Sequence, residues 1–144
     1  MTEKQQVWLR NGLAFIAGWI AGSAVNMGIV LLGHAVRPLT DVNPTDPSYL
    51  ERLSESLTLG DLVAPFLAHA LGTLVGAYVC ARLARTHKRG LALGIGALFL
   101  LGGIMVAIQL PAPLWFEIVD ILFAYLPMAL LGVYLAKATS AETT

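Results

Sequence analysis

The sequence predicts an all-α membrane protein: a transmembrane antiparallel four-helix bundle with a short amphipathic helix in its first outer loop. Three observations lead there. The 144 residues are 57% hydrophobic and only 12% charged, against roughly 25% charged in a soluble domain, too little to cover a water-facing surface. Four apolar runs each come near the ~20 residues that a helix needs to cross a bilayer. Lys and Arg gather in alternate connections, the pattern that sets orientation in a membrane. Together these exclude a nucleic-acid binder, a disordered chain and a conventional soluble enzyme. A single cysteine excludes a disulfide framework and a Cys-based metal cage.

The first span covers residues 13–33, interrupted only by Ser23 and Asn26. Its apolar run outlasts the ~7–15 residues of a signal-peptide core, so it reads as a retained span, not a cleavable leader. Next comes a long outer connection, residues 37–60. Pro38, Pro44 and Pro47 stiffen its first half. Ser48 followed by Glu51 then has the spacing of a capping box, and Leu50, Leu53 and Leu57 recur at helical spacing opposite Glu51, Arg52 and Glu55. Gly60 is a natural stop. This is the amphipathic helix, placed on the outer membrane surface.

The second span covers 62–84 and holds His69 and Thr73; a tight turn at 86–89 leads to the third, 91–110. The fourth covers 114–136, with Glu117 and Asp120 near its start. Trp115 and Phe116 beside Pro111 and Pro113 have the look of interfacial anchors. Pro65 and Pro127 each remove a helix donor, which membrane helices tolerate as kinks.

Lys4 and Arg10 precede span one, Arg82, Arg85, Lys88 and Arg89 surround the turn after span two, and Lys137 follows span four. The other two connections hold only Arg37 and Arg52, beside Asp41, Asp46, Glu51, Glu55 and Asp61. Both termini are therefore expected in the cytoplasm. Small residues recur every fourth position: Gly18, Gly22 and Asn26 in span one; Ala68, Gly72, Gly76, Cys80 and Ala84 in span two; Asp120, Ala124, Met128, Gly132 and Ala136 in span four. Such ladders let helix backbones approach closely. They serve either the bundle itself or a homo-oligomer or larger membrane complex; apart from these the expected partner is the lipid bilayer, with no nucleic acid.

An ionisable group inside a membrane costs about 2.5 kcal/mol or more, so each one asks for a reason. At about 1.5 Å per residue, Asn26, His69 and Asp120 share one level in the outer half of the bilayer, on three helices. We expect His69 and Asp120 to pair inside the bundle, since a carboxylate beside an imidazole offsets the charge of each. Asn26 is a third member, with Thr73 one turn from His69 and Tyr125 lending a hydroxyl. Glu117, His34, Gln109 and Asp61 form a mouth open to the outside.

Three functions fit this constellation. An imidazole–carboxylate pair exchanges protons near neutral pH, which suits binding or transport of a proton, small solute or lipid head group from the outer side. The alternative is a non-catalytic accessory or scaffolding subunit, the polar groups merely tying helices together. Catalysis is the third, but no Ser/His/Asp order, glycine-rich phosphate loop or CxxC supports it. One histidine and two carboxylates without HExxH-type spacing make a poor metal signature. No cofactor or metal is expected.

Several stretches resemble an uncharacterised family of small four-span bacterial membrane proteins. They are Asn26-Met27-Gly28, residues 64–73 (APFLAHALGT), Gly102-Gly103, residues 111–116 (PAPLWF) leading to Asp120, and residues 124–128 (AYLPM). The resemblance implies a bacterial inner-membrane location and brings no activity, substrate or cofactor. Fluoride channels, small multidrug exporters and membrane glutathione transferases have motifs that this chain lacks.

Overall fold

A computed structural model describes residues 1–38, 46, 48–109 and 112–141. Six helices are described: α1 (Glu3–Val36), α2 (Tyr49–Ser56), α3 (Leu59–Leu83), α4 (Lys88–Gln109), α5 (Leu114–Phe123) and α6 (Leu126–Ala141). Four stretches, Glu3–Val36, Leu59–Leu83, Lys88–Gln109 and Leu114–Lys137, are long and apolar enough to cross a membrane. The expected stiffening at Pro44 and Pro47, the charge of Asp41, and Pro111 lie outside the described residues.

Helix ends follow from local chemistry. Thr2 caps α1 through a reciprocal pair with Gln5, which satisfies two of the orphan donors at a helix start. The helix therefore runs from Glu3, well before residue 13. It stops at Arg37, whose N–H still bonds the Gly33 carbonyl; Pro38 disfavours any further turn. His87, with φ 52°, makes the left-handed step between α3 and α4.

Two local expectations need correction. Ser48 does not cap α2 through its side chain. Its hydroxyl and backbone N–H both donate to Asp46 Oδ1, at 2.7 and 2.9 Å, because an ionised carboxylate is the stronger acceptor. Gly60 is no stop for α2: that helix ends at Ser56, and Gly60 lies in the first turn of α3. There the Thr58 backbone N–H donates to Asp61 Oδ2 at 2.8 Å and opens α3.

The hub of the fold is α3, against which α1, α4 and α6 all pack. Glycines set the spacing. A Cβ on Gly18 would stand 2.5 Å from the Gly76 carbonyl, and one on Gly22 would stand 2.6 Å from that of Gly72. Numbers thus rise along α1 as they fall along α3. On another face of α3, a Cβ on Gly132 would stand 2.8 Å from the Leu74 carbonyl. Glycines of the predicted ladders make these contacts within the chain, and Cys80 is buried in one of them against Gly18. At the end where the chain begins, Arg10 Nε donates to the Leu83 carbonyl at 3.1 Å. Asn11 there receives the backbone N–H of Arg85 at 3.0 Å, so the start of α1 and the α3–α4 turn lie together. Just within that end, Ala77, Ala81, Ala92, Ala129, Val133 and Ala136 form a packed apolar layer.

The fourth apolar stretch is not one helix. It breaks at Ala124–Tyr125, and Pro127, two residues on, is the cause. Proline has no N–H for the Phe123 carbonyl and disfavours a continuous turn ahead of it, although α3 carries Pro65 without a break; it sits comfortably in the first turn of α6. The consequence is geometric. On an unbroken helix Tyr125 would stand about 140° round the axis from Asp120; the break brings it back to the same side.

Candidate functional site

His69 projects from the middle of α3 and meets Asp120 of α5. Its Nδ1 lies 3.0 and 2.9 Å from the two carboxylate oxygens. The Tyr125 hydroxyl donates to Asp120 Oδ2 at 2.9 Å, and the tyrosine and imidazole rings lie 5.5 Å apart, tilted by 30°. Asp120 is only 6% exposed and Tyr125 only 1%. A carboxylate buried this deeply would be costly alone; two donors, the Tyr125 hydroxyl and the His69 imidazole, offset that cost. With Asp120 ionised, the Nδ1–H points at it and fixes the tautomer. The second ring nitrogen, Nε2, then has a lone pair to offer, or a proton when the ring is charged, and has no hydrogen bond among the described residues.

Above the pair opens a cavity of about 630 Å³. Asn26, His69, Gly103 and Asp120 line its inner part; His34, Arg37, Asp61 and Glu117 line it where α1 ends and α3 begins. Its walls are otherwise mostly aliphatic, with Val30, Leu67, Val106 and Ile121 among them. The space lies where α1 and α5 do not pack on each other: among the described residues each packs on α3 and α4 but not on the other. At the mouth, Arg37 Nε donates to Asp61 Oδ1 at 2.8 Å and its Nη2 to Thr58 Oγ1 at 3.2 Å. This clasp ties the last turn of α1 to the first turn of α3. The Glu117 carboxylate accepts the Ala112 backbone N–H at 3.3 Å, the one hydrogen bond of that side chain among the described residues.

The structure thus brings together Asn26, His69, Asp120, Glu117, His34 and Asp61 around one cavity, with Tyr125 directly behind Asp120. Asn26 is a neighbour and not a bonded partner: its backbone side packs on Gly72, and its amide makes no hydrogen bond among the described residues. Two expected members fall elsewhere. Thr73 is fully buried, its hydroxyl has no hydrogen-bond partner among the described residues, and it does not line the cavity. Gln109 is exposed in the last turn of α4 and does not line the cavity, whereas Val106 and Ala107, nearer the middle of the helix, do.

Three residues of the site escaped the sequence reading. Phe116, expected as an interfacial anchor beside Trp115, is 9% exposed and lines the cavity, whereas Trp115 is 50% exposed. Successive helical residues point about 100° apart, so only one of the two faces outward. Arg37 had stood only as a loop charge. Gly103 makes room for the triad, since a Cβ there would overlap the Tyr125 hydroxyl. The Gly102-Gly103 pair in an otherwise apolar helix was the available signal. Among the described residues no group of three His, Cys, Asp or Glu side chains is placed to hold a metal ion.

No protein family, no curated protein and no solved structure matches the chain. The reading of the site rests on its own geometry.

Proposed function

We propose that this is a bacterial inner-membrane protein that binds a small molecule from the outer side, its polar group engaging the free face of His69. One observation carries the reading: a roomy, mostly aliphatic cavity reaches a buried His–Asp–Tyr constellation and goes no further. Ligand sites in proteins are apolar hollows with a few convergent polar groups. In this reading the chain is an antiparallel four-helix bundle, both termini are cytoplasmic, and α2 lies on the outer surface. The basic residues clustered near Arg10 and Arg85 support that orientation. Binding fits better than conduction, because the packed alanine layer lies between the constellation and the end where the chain begins.

A second reading, a non-catalytic accessory or scaffolding subunit, draws on the fact that Asp120 already has two protein donors. Cysteine labelling separates the two. In a Cys80→Ala background, Val30→Cys and Ile121→Cys should react in intact cells with a membrane-impermeant maleimide. Thr86→Cys should react only after the cells are opened. Lining cysteines that stay unlabelled while the chain is folded would leave the scaffold.

A further inference from the structure

The charges around the cavity do not balance. Its described lining carries three carboxylates, Asp61, Glu117 and Asp120, against one guanidinium, that of Arg37. Arg37 is already taken by Asp61 at 2.8 Å. Glu117 and Asp120 therefore leave a formal charge of −2 while the imidazoles are neutral, and −1 when His69 takes its second proton. Water is the usual remedy for such an excess, yet most of this wall is aliphatic, and the ring of Phe116 is part of it. Aromatic faces attract cations, more strongly when both are desolvated. A metal ion does not answer to this chemistry, since it needs several converging ligands and the described residues offer no such group. An anionic amphiphile would add charge of the wrong sign.

We infer that the occupant is a lipophilic organic cation with one positive charge, of the substituted ammonium or phosphonium class, reaching the cavity through the gap between α1 and α5. This deepens the binding reading above and rests on it. Apolar substituents lie against the aliphatic walls and Phe116, while the charge sits between Glu117 and the Asp120–His69 pair. Binding opposes protonation of His69. The other titratable or charged groups facing the cavity are His34 and Arg37 from α1, Asp61 from α3 and Glu117 from α5, with Tyr125 behind Asp120. The cavity-lining residues of α4, Gly103, Val106 and Ala107, carry no charge.

The test is equilibrium dialysis of the full chain in detergent micelles, with tetraphenylphosphonium and tetraphenylborate, ions of the same shape and opposite charge. The phosphonium should bind one per chain above empty micelles and the borate should not. Glu117→Gln and Asp120→Asn should each weaken binding roughly tenfold at pH 8. Glu117→Gln keeps the test open if Asp120→Asn does not fold, since the Glu117 side chain makes a single hydrogen bond to the described protein. Borate binding as tightly as phosphonium, or phosphonium affinity unmoved in every folded variant, overturns the cation. So does failure of both ions to bind, while labelling at Val30 and Ile121 separately decides whether there is an outward binding cavity at all.

Discussion

Tyr125 is the residue on which the site's geometry turns. Its hydroxyl satisfies Asp120 from behind, leaving His69 to face both the carboxylate and the cavity. The expected cost of Tyr125→Phe in thermal or denaturant melting is about 1 kcal/mol, the net worth of one hydrogen bond. Gly103→Ala should cost more, because the new methyl would overlap that hydroxyl and overpacking typically costs about 1–3 kcal/mol. Combined, the two changes should cost less than their sum, since removing the hydroxyl relieves part of the overlap; contacting residues couple in this way. Strict additivity would mean that Gly103 and Tyr125 do not share the space assigned to them. His69, Asp120 and the Tyr125 hydroxyl were legible in the chain because ionisable and hydroxyl groups in apolar runs demand partners. Gly103 was not: a glycine carries no polarity, and its role is defined only by what stands opposite.

At the scale of elements, close backbone approach holds α1 on α3. Gly22 is the sharpest case, with a Cβ there placed 2.6 Å from the Gly72 carbonyl and 2.9 Å from the Phe99 ring. A backbone oxygen has no rotamer by which to withdraw, so Gly22→Leu should force the helices apart and lower the melting temperature markedly, by an energy of about 1–3 kcal/mol or more. Gly28→Leu is the control, since a Cβ there meets nothing within 4 Å; it should melt as the unmodified chain does. Equal losses in the two variants would place the α1–α3 contact elsewhere. The ladders were visible as a four-residue repeat, and what they pack against was not, because the same repeat serves neighbours in one chain or in two. The break in the fourth span shows the same limit. Pro127 announced a disturbance; its result, which brings the Tyr125 hydroxyl to Asp120, depended on α5 and α6 packing separately on α3.

Over the whole molecule, polarity is graded. Charged residues ring the cavity mouth, the buried triad lies deeper, and the alanine-rich layer follows. A proton moving from His69 toward the other end would have to cross that packed apolar layer: Thr73 stands one turn on from His69, and its buried hydroxyl has no hydrogen bond among the described residues. Proteoliposomes of the purified chain should therefore show no more passive proton leak than empty liposomes, measured with an entrapped pH dye after a pH jump. A leak that disappears in His69→Ala would instead argue for conduction through the site. The gradient also explains why the site is built from the least apolar level of three helices. Each polar group there is tolerable only if it turns from lipid toward the others.

Taken alone, the chain determined its class and its level of interest. Hydropathy requires four spanning-length helices, because only a helix satisfies its own backbone away from water, and residue counting put His69 and Asp120 at one depth. Tertiary structure decided the rest. It separated α5 from α1 and so created the cavity; it left Asn26 beside the pair without joining it; it turned Phe116 inward and Gln109 out. Depth along a helix is a one-dimensional property, set by about 1.5 Å per residue. Enclosed space belongs to the tilt and contact of several helices at once, and their arrangement settles it.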